Sequence, residues 1–389
     1  MQNREALIGL NMVHGLGAGS IRLLAEHFGP VERVFEASEE EVRRTLGPRY
    51  GTAEVVAGIR AMANGKAAAR EVSRAAEIGA EIMTLADPGY PRLLKEIHQP
   101  PPVLYLKGAL LPEDEAAVAI VGTRSASPYG LTNARWFGEE LARCGVTVVS
   151  GLAEGIDRQA HEGALEGRGR TIAVVGHGLS MVYPPQHREL ADRVARSGCL
   201  LSEFPIWMQP VPMNFPRRNR VIAGLSLGTL VVEAPAKSGA LITAREAMEQ
   251  GREVFAMPGP ISSPQSRGTH GLLRDGAKMV CQVQDILEEL APQMQRIIRA
   301  STGSARTVSS GHPEPFDVAQ DRLVEADRLR LTSEESKVFN AVPVGSGVGV
   351  ESIARATALQ PARLMSVLTG LELKGLVRQT VGRGFARER

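Results

Sequence analysis

Apolar and polar positions alternate in three different ways along this chain, and each way predicts a different kind of unit. Over residues 1–63 the apolar residues recur at helical spacing, interrupted by Gly15, Leu16 and Gly17. Two short helices joined by a glycine–apolar–glycine turn predict a helix-hairpin-helix or SAM-like module. Glycines let a backbone approach a phosphate closely, so the turn allows a DNA contact, although a small packing module is the simpler interpretation.

Residues 64–290 alternate short β-branched runs with amphipathic helical stretches. In one of these stretches Ala134, Phe137 and Leu141 share a helix face. Strands that are buried on both faces and separated by helices are typical of a parallel, doubly wound α/β sheet. The predicted strands lie at 118–121, 147–149, 171–175, 230–232 and 253–255.

This pattern dissolves at residues 291–329, where clusters of serine, glycine and proline predict a flexible linker. An ordered pattern restarts over residues 330–389. Thr332 and Glu335 form a capping box, Pro361 opens a later helix, and a turn at Gly382 predicts a β-hairpin. Helices followed by a hairpin predict a winged helix.

Composition narrows the function but does not specify it. The 389 residues carry 45 basic and 43 acidic side chains, a formal net charge of +2, so any positive charge that binds a nucleic acid must be gathered locally. Three scattered cysteines predict reduced thiols. The sequence shows no basic-then-apolar leader and no apolar run near the roughly 18 residues of a membrane helix. We therefore expect a cytoplasmic protein that does not enter a membrane.

Glycine and hydroxyl residues follow the predicted strands, at the edge where open α/β sheets bind their ligands. Backbone N–H groups in such loops bind anions. The sequence has no GxGxxG and no GxxxxGKS/T motif, so a dinucleotide and a P-loop ATPase lack their fingerprints. Several loops with one or two phosphate-binding groups each suit an extended single strand, whose phosphates lie roughly 6 to 7 Å apart. The candidate loop residues are Gly122, Thr123, Arg124, Ser125, Ser150, Gly151, Lys237, Ser238 and Gly239.

A run of strong donors completes the candidate site: Arg217, Arg218, Asn219 and Arg220. Arginine offers forked donors to phosphates, and Phe215 and Trp207 nearby offer faces on which bases can stack. Taken alone, the run fits solvated or salt-bridged arginines equally well. Arg124 and Lys237 at the same predicted edge favour DNA.

No constellation in the sequence predicts catalysis. Asp157 and His161 share a helix face at spacing i, i+4. However, no third ligand is recognisable, and the macrodipole favours an aspartate at a helix start. His177 lies between two glycines without a nucleophile or carboxylate partner. We therefore expect a protein that is not an enzyme and that holds no metal and no cofactor.

Four segments, in this order and at these intervals, resemble the DprA/Smf DNA-processing family: AIVGTR at 119–124, SGLAEGID at 150–157, FPRRNRVIAGLS at 215–226 and VEAPAKSGALITA at 232–244. The resemblance implies an extended Rossmann-like core between a helical module and a winged helix. It also implies a homodimer that binds single-stranded DNA, protects incoming DNA and loads RecA recombinase in natural transformation. By this match, Arg124, residues 217–220 and Lys237 fall in the family's DNA groove.

Two positions depart from the family's pattern. Glu154 stands where relatives often have arginine, which removes a positive charge near the second loop. His270 stands where asparagine is usual. Both departures concern the details of DNA contacts and leave the predicted fold unchanged.

Two other functions stay open at this point. The first is a nucleotide-processing enzyme, a phosphoribohydrolase of the lysine-decarboxylase-like group, whose fold resembles the one predicted here. Gly228, Thr229 and Glu233 are the nearest counterpart to that group's catalytic motif, but the group's glycine loop is missing. A winged-helix regulator of double-stranded DNA is the other. Its recognition helix would carry Arg363 and Lys374 but is otherwise largely apolar, so it has few polar side chains for reading bases in a major groove.

Overall fold

The protein contains a nine-stranded sheet in a computed structural model that describes residues 3–303, 331–343, 347–373, 376–380 and 384–387. The chain divides into two compact units. The larger unit comprises Met1–Ala142 and Val146–Val280, and the smaller comprises Arg143–Gly145 and Cys281–Arg389.

Five α-helices precede the first strand within the described residues: α1 (Asn3–Asn11), α2 (Ala18–Phe28), α3 (Glu39–Tyr50), α4 (Ala53–Met62) and α5 (Lys66–Glu77). A short 3-10 helix, Val31–Phe35, lies between α2 and α3. The glycine turn predicted from the sequence joins α1 to α2, and Gly15 adopts a φ of +81°, which a residue with a side chain rarely adopts. Ser38 and Thr52 cap α3 and α4 by accepting backbone N–H groups of Glu41 and Val55 at 3.2 and 3.3 Å.

The nine strands of the sheet are β1 (Glu81–Thr84), β2 (Val103–Gly108), β3 (Ala117–Val121), β4 (Thr147–Ser150), β5 (Thr171–Val175), β6 (Cys199–Ser202), β7 (Gly228–Val231), β8 (Glu253–Ala256) and β9 (Lys278–Met279). Their order is β1-β2-β6-β5-β4-β3-β7-β8-β9. All neighbours from β6 to β9 pair in parallel, whereas β2 pairs antiparallel with both β1 and β6. The sheet is therefore mostly parallel, with an antiparallel edge that the sequence pattern did not predict.

Short helix α6 (Arg92–Lys95) lies between β1 and β2, and the longer helices that follow are α7 (Pro128–Arg143), α8 (Ile156–Glu166), α9 (Arg188–Ser197), α10 (Asn214–Gly224), α11 (Gly239–Glu249) and α12 (Arg267–Arg274). Successive residues of β5 enter different cores: Ile172 and Val174 join one, and Ala173 and Val175 join the other. Strands buried on both faces confirm the doubly wound, Rossmann-like α/β fold.

Strand β3 lies at the point where the direction of winding reverses. From β3 the chain adds β4, β5 and β6 on one side and then returns to add β7, β8 and β9 on the other. The carboxyl ends of β3 and β7 therefore lead to loops that separate from each other. Open α/β sheets bind ligands in the crevice that such a reversal creates.

The smaller unit contains α13 (Val283–Gly303), α14 (Ser333–Ala341), β10 (Val348–Gly349), α15 (Val350–Thr357), α16 (Pro361–Leu373), β11 (Val377–Thr380) and β12 (Gly384–Arg387). Its three strands pair antiparallel in the order β10-β12-β11. Phe339, Leu368 and Phe385 share its apolar core. The predicted capping box is present, because Thr332 and Glu335 exchange side-chain and backbone hydrogen bonds at 2.8 and 3.2 Å. This unit has the winged-helix arrangement.

Helix α13 differs from the sequence expectation. It continues to Gly303 and so covers the first part of the range 291–329 that was predicted as a linker. Leu290 and Met294 are both buried, so an apolar stripe at helical spacing extends past the predicted boundary. Residues 304–329 and the predicted turn at Gly382 lie outside the described residues. Within the described part of the chain, no helix is both long and apolar enough to cross a bilayer.

The N-terminal helices share one hydrophobic core with a face of the sheet. Leu10 and Leu24 are fully buried and belong to the same cluster as Tyr105 of β2 and Ala173 of β5. Arg4 adds a hydrogen bond from Nη2 to the backbone oxygen of Ile82 at 2.6 Å. The predicted division after residue 63 thus falls inside the larger compact unit.

We expect Leu10→Ala to lower the free energy of unfolding of the whole larger unit by about 2–5 kcal/mol, because it leaves a cavity in a shared core. Leu23→Ala is the matched control, since Leu23 is 40% exposed, and should change it by less than about 0.5 kcal/mol. Urea unfolding followed by near-UV circular dichroism measures both. A separate early transition in Leu10→Ala, with the main transition unshifted, would show instead that residues 1–63 fold independently.

Candidate nucleic-acid interface

A groove of about 330 Å³ opens at the carboxyl edge of the sheet, where the loops after β3 and β7 separate. Three cations and one carboxylate are among its lining residues. The lining is formed by Val121, Gly122, Thr123, Arg124, Ala153, Asp157, Phe215, Pro216, Arg218, Asn219, Ile222, Pro235, Lys237, Ser238, Gly239, Ala240, Ile242 and Thr243. Eight of the thirteen predicted site residues thus line this one groove.

The loop after β3 is fixed by hydrogen bonds to its neighbours. The Thr123 N–H donates to the backbone oxygen of Glu233 at 2.8 Å, and the Thr123 oxygen accepts from the Ile156 N–H at 3.3 Å. These bonds join the loop after β3 to the loop after β7 and to the start of α8. They leave the Arg124 side chain exposed at the rim of the groove.

An exposed cation and two aromatic rings meet at this rim. The Arg124 guanidinium carbon lies 5.3 Å from the centroid of the Phe215 ring, which is a cation–π distance. The Tyr183 ring lies 5.9 Å from the same Phe215 ring, tilted by 41°. Tyr183 was not among the predicted site residues, and only its position in the fold brings it here.

The opposite wall of the groove is the start of α11. The Ser238 hydroxyl caps this helix by accepting the Ala240 N–H at 3.3 Å. Lys237 and Gly239 are exposed, and Asn219 Nδ2 donates to the Gly239 oxygen at 3.3 Å. A capped helix start with an adjacent lysine is a favourable environment for an anion.

Arg218 lies beneath the groove and is almost fully buried. Its Nη1 donates to the backbone oxygens of Gly151, at 2.7 Å, and of Val174, and its Nε donates to Asn219 Oδ1 at 3.2 Å. Gly151 must be a glycine, because a Cβ there would lie 2.5 Å from Nη1. The sequence suggested a phosphate donor at this position, but these three bonds are made within the protein.

Asp157 supplies the counter-charge for this buried guanidinium. Its Oδ2 accepts the Gly151 N–H at 3.1 Å. Burial raises the pKa of Asp157, and the Arg218 charge opposes that rise. Burial lowers the pKa of Arg218 to about 10, again opposed by Asp157, so Arg218 remains charged at neutral pH.

The other two arginines of the run point away from the groove. Arg217 is exposed and lies with its guanidinium carbon 5.4 Å from the Phe204 ring centroid. Arg220 forms an ion pair with the buried carboxylate of Glu203 and donates to the backbone oxygen of Gln99. The run of arginines therefore serves three different places, and only Arg218 borders the groove.

The two remaining predicted residues are parts of the loop framework. The Ser125 N–H donates to Thr123 Oγ1 at 3.2 Å, and the Ser125 side chain is exposed next to the groove. Ser150 is buried, and its hydroxyl donates to the Ile120 oxygen at 2.6 Å. Ser150 thus ties β4 to β3.

The carboxylate that motivated an enzymatic alternative is engaged by the backbone of a neighbouring helix. Glu233 is 2% exposed. It accepts the Ser127 N–H at 2.9 Å and the Ser127 hydroxyl at 2.6 Å. Glu233 therefore anchors the start of α7 beside the loop after β3.

His161 and His177, the two histidines considered as acids or bases in the sequence, are buried and bonded to the framework. His161 Nδ1 donates to Thr171 Oγ1 at 2.7 Å, because that hydroxyl already donates to the Val148 oxygen. Burial, with smaller contributions from His187 and Arg218, lowers the pKa of His161 to about 3. His177 Nδ1 contacts the Gly178 oxygen at 2.9 Å, and burial likewise lowers its pKa. Across the described residues no three His, Cys, Asp or Glu side chains come together as metal ligands would.

Both departures from the family's pattern have partners within the fold. Glu154 Oε1 lies 3.2 Å from Nε2 of buried His187, whose Nδ1 contacts the Leu152 oxygen at 2.9 Å. His270 Nε2 contacts the Gly259 oxygen at 3.0 Å. Neither side chain lines the groove.

An open, mostly parallel α/β sheet with a cation-lined groove at its carboxyl edge defines a Rossmann-like core. A family model described as DNA recombination-mediator protein A matches residues 81–291, and a DprA winged helix domain model matches residues 325–383. Protein Smf from Synechocystis sp. is 34% identical over 400 residues, which cover 100% of both chains. The chain belongs to the DprA/Smf family.

The solved structures that are similar to this chain include two of DNA processing protein A. The X-ray structure of DNA processing protein A from Streptococcus pneumoniae has a TM-score of 0.66 and 35% identity, and covers 74% of this chain and 99% of its own. DNA processing protein A from Helicobacter pylori, a structure described for its single-stranded DNA binding mode, has a TM-score of 0.50 and 31% identity. It covers 55% of this chain and 97% of its own.

The buried His161 makes stability depend on pH. Its pKa lies at about 3 in the folded protein against 6.5 for a free histidine. The folded state therefore loses stability as the pH falls below about 6.5 towards about 3, since only the unfolded state binds the proton there. At about pH 5 this loss is about 2 kcal/mol. Between about pH 7.5 and about pH 5, we expect His161→Gln to lose about 2 kcal/mol less unfolding free energy than the unchanged protein.

Urea unfolding at the two pH values measures this difference, and the comparison cancels any packing defect of His161→Gln that is the same at both. Equal losses in the two proteins would mean that His161 takes up its proton in the folded state.

Proposed function

We propose that this protein binds single-stranded DNA in the groove and carries out no chemistry on it. The observation that supports this most directly is the composition of the groove: exposed Arg124 and Lys237 flank it, charged Arg218 lies beneath it, and the Phe215 ring lines it. Cations attract the phosphates irrespective of sequence, and an aromatic ring stacks on any base.

The aromatic ring favours a single strand over a duplex. A base can stack on Phe215 only if it is not already stacked and paired within a helix. The groove lies between loops after β3 and β7 rather than on a protruding helix that would enter a major groove. The Helicobacter pylori relative, described for single-stranded DNA binding, supports the same choice.

The absence of chemistry is supported by the roles of the groups that could perform it. Glu233 holds the start of α7, and His161 and His177 have pKa values lowered by burial. Each candidate acid or base is thus committed to the framework. Within the described residues, the exposed side chains that line the groove are the cations Arg124 and Lys237 and the apolar Pro216 and Ile242, none of which is a general acid or base at neutral pH.

Membership of a recombination-mediator family supports a further step. We propose that the bound strand, protected from nucleases, is handed to RecA recombinase during natural transformation, and that the protein acts in the cytoplasm as a homodimer. Binding by charge and stacking suits a hand-over, because each contact is reversible and no covalent bond must break.

We expect Arg124→Gln and Lys237→Gln each to weaken single-strand binding about tenfold at low salt, equally for all base sequences, because each removes a phosphate contact. Each should also reduce the slope of log affinity against log salt by about 0.7. Fluorescence anisotropy of labelled oligonucleotides, single- and double-stranded, measures both quantities.

Arg196→Gln is the matched control for these two variants. Arg196 is exposed at the end of α9, just before β6 begins, and so lies at the edge of the sheet opposite the groove. It should leave affinity and salt slope unchanged. A loss that depends on base sequence, or tighter binding of duplex than of single strand, would contradict the proposal.

The claim that the protein does no chemistry has its own test. We expect no base release when nucleoside monophosphates are incubated with the protein, followed by chromatography, because Glu233 is buried and held by Ser127. Detectable release that disappears in Glu233→Gln would establish the phosphoribohydrolase alternative.

A further inference from the structure

Four large apolar side chains lie exposed on two adjoining loops at the groove's edge of the sheet. The exposed fractions are 42% for Tyr183, 52% for Trp207, 41% for Val211 and 79% for Met213. We name these four side chains the aromatic shelf. Residues 204–216 contain no charged side chain. Large apolar side chains that are exposed together on adjoining loops, with no charge on the main loop, form a candidate binding surface.

The shelf lies at the same edge of the sheet as the groove. Its main loop follows β6, which runs parallel to β5, so the loop leaves from the carboxyl ends of the strands. The Tyr183 loop follows β5 at that same edge.

The backbone beneath the shelf is fixed. The Gly178 N–H donates to the Met208 oxygen at 2.8 Å, and the Ser180 N–H donates to the Ile206 oxygen at 3.1 Å. The buried carboxylate of Glu71 accepts the Ile206 N–H at 2.7 Å. A Cβ on Gly178 would lie 2.1 Å from the Ile206 oxygen, so the two loops are in close contact. Trp207 is thus presented by an ordered backbone, which lowers the entropy cost of binding through it.

Aromatic rings and cations continue from the groove onto the shelf. The Tyr183 ring lies 5.9 Å from Phe215, which lines the groove and carries Arg124 over its ring at 5.3 Å. Two residues after Phe215 on the same helix, Arg217 lies exposed with its guanidinium carbon 5.4 Å from the Phe204 ring centroid. A strand that leaves the groove on this side therefore meets a ring face and a further cation.

We propose that single-stranded DNA in the groove continues over Tyr183 onto the aromatic shelf, where bases stack on Trp207 and Met213 and a phosphate pairs with Arg217. This rests on the proposed function, because it extends the same bound strand. The ligand is a nucleic acid rather than a second protein, since Tyr183 of the shelf lies 5.9 Å from Phe215 of a groove lined by three cations. Exposed Arg217 adds a further cation on the helix that carries Phe215. Affinity should therefore grow with strand length after the groove is filled.

The chain offers a direct optical test, because it contains two tryptophans, Trp207 and Trp136. Trp136→Phe leaves Trp207 as the only tryptophan, so that its emission reports stacking on the shelf. Trp207→Phe leaves Trp136, which is 38% exposed on α7, as the matched control. Both are titrated with oligothymidylates from about 4 to about 16 nucleotides long. Labelled oligonucleotides give the affinities independently by anisotropy.

In Trp136→Phe we expect short oligonucleotides to bind without changing the emission and longer ones to quench it. In Trp207→Phe the emission of Trp136 should not respond at any length. Trp207→Ala should weaken binding of the longer oligonucleotides about tenfold and leave the shortest that bind unchanged. Trp207→Phe should restore most of that loss, and unchanged thermal unfolding of both variants confirms that they fold.

Three outcomes would overturn the inference. If oligonucleotides bind but Trp207 emission never responds, the strand does not reach the shelf. If Trp207→Ala weakens short and long oligonucleotides equally, Trp207 acts through the groove. If Trp207→Ala leaves DNA binding unchanged but converts a dimer to a monomer in sedimentation, the shelf is an interface between copies of this chain. Failure of every oligonucleotide to bind would instead remove the proposed function, and the inference with it.

Discussion

A buried guanidinium at the carboxyl ends of two strands is the interaction on which the groove depends. Arg218 of α10 donates to backbone oxygens of Gly151 and Val174, at the ends of β4 and β5, and Asp157 of α8 supplies the counter-charge. A buried charge that loses its partner costs about 3–5 kcal/mol. Two strand ends and two helices are therefore held in one arrangement, and the groove is formed before any ligand arrives.

The groove is lined by three cations, Arg124, Arg218 and Lys237, against one carboxylate, Asp157, so it is locally positive in a protein with a formal net charge of +2. The charge of Arg218 persists at neutral pH, because burial lowers its pKa only to about 10. A charge held in the protein interior is screened less by salt than a solvated one. Arg124 and Lys237 at the rim add cations that can adjust to a flexible ligand. The fixed charge of Arg218 beneath the groove and the more mobile charges of Arg124 and Lys237 at its rim together make a locally positive region.

The sequence predicted the central strands of the sheet, whose residues follow a clear periodic pattern, but it did not predict the strands near the edges of the sheet. Strands β3, β4, β5, β7 and β8 are β-branched runs between amphipathic helices, and each was predicted close to its observed position. Strand β2 is rich in leucine and β6 reads Cys-Leu-Leu-Ser, so short apolar runs of this kind do not distinguish strand from helix. Strand β9 has 2 residues, which is too short to carry any period.

The sequence predicted which loops form the candidate site, but it did not predict the directions in which the arginine side chains of α10 point. Consecutive residues of an α-helix point about 100° apart, so Arg217, Arg218 and Arg220 on α10 cannot share one face. The one that faces the sheet meets strand-end carbonyls, and these oxygens take up its donors. The loop cations Arg124 and Lys237 are exposed instead and lie at the rim of the groove. In the proposed binding mode, the positive charge that reaches a mobile strand thus comes from loops, whereas the arginine on the inner face of the helix builds the surface over which that strand would pass.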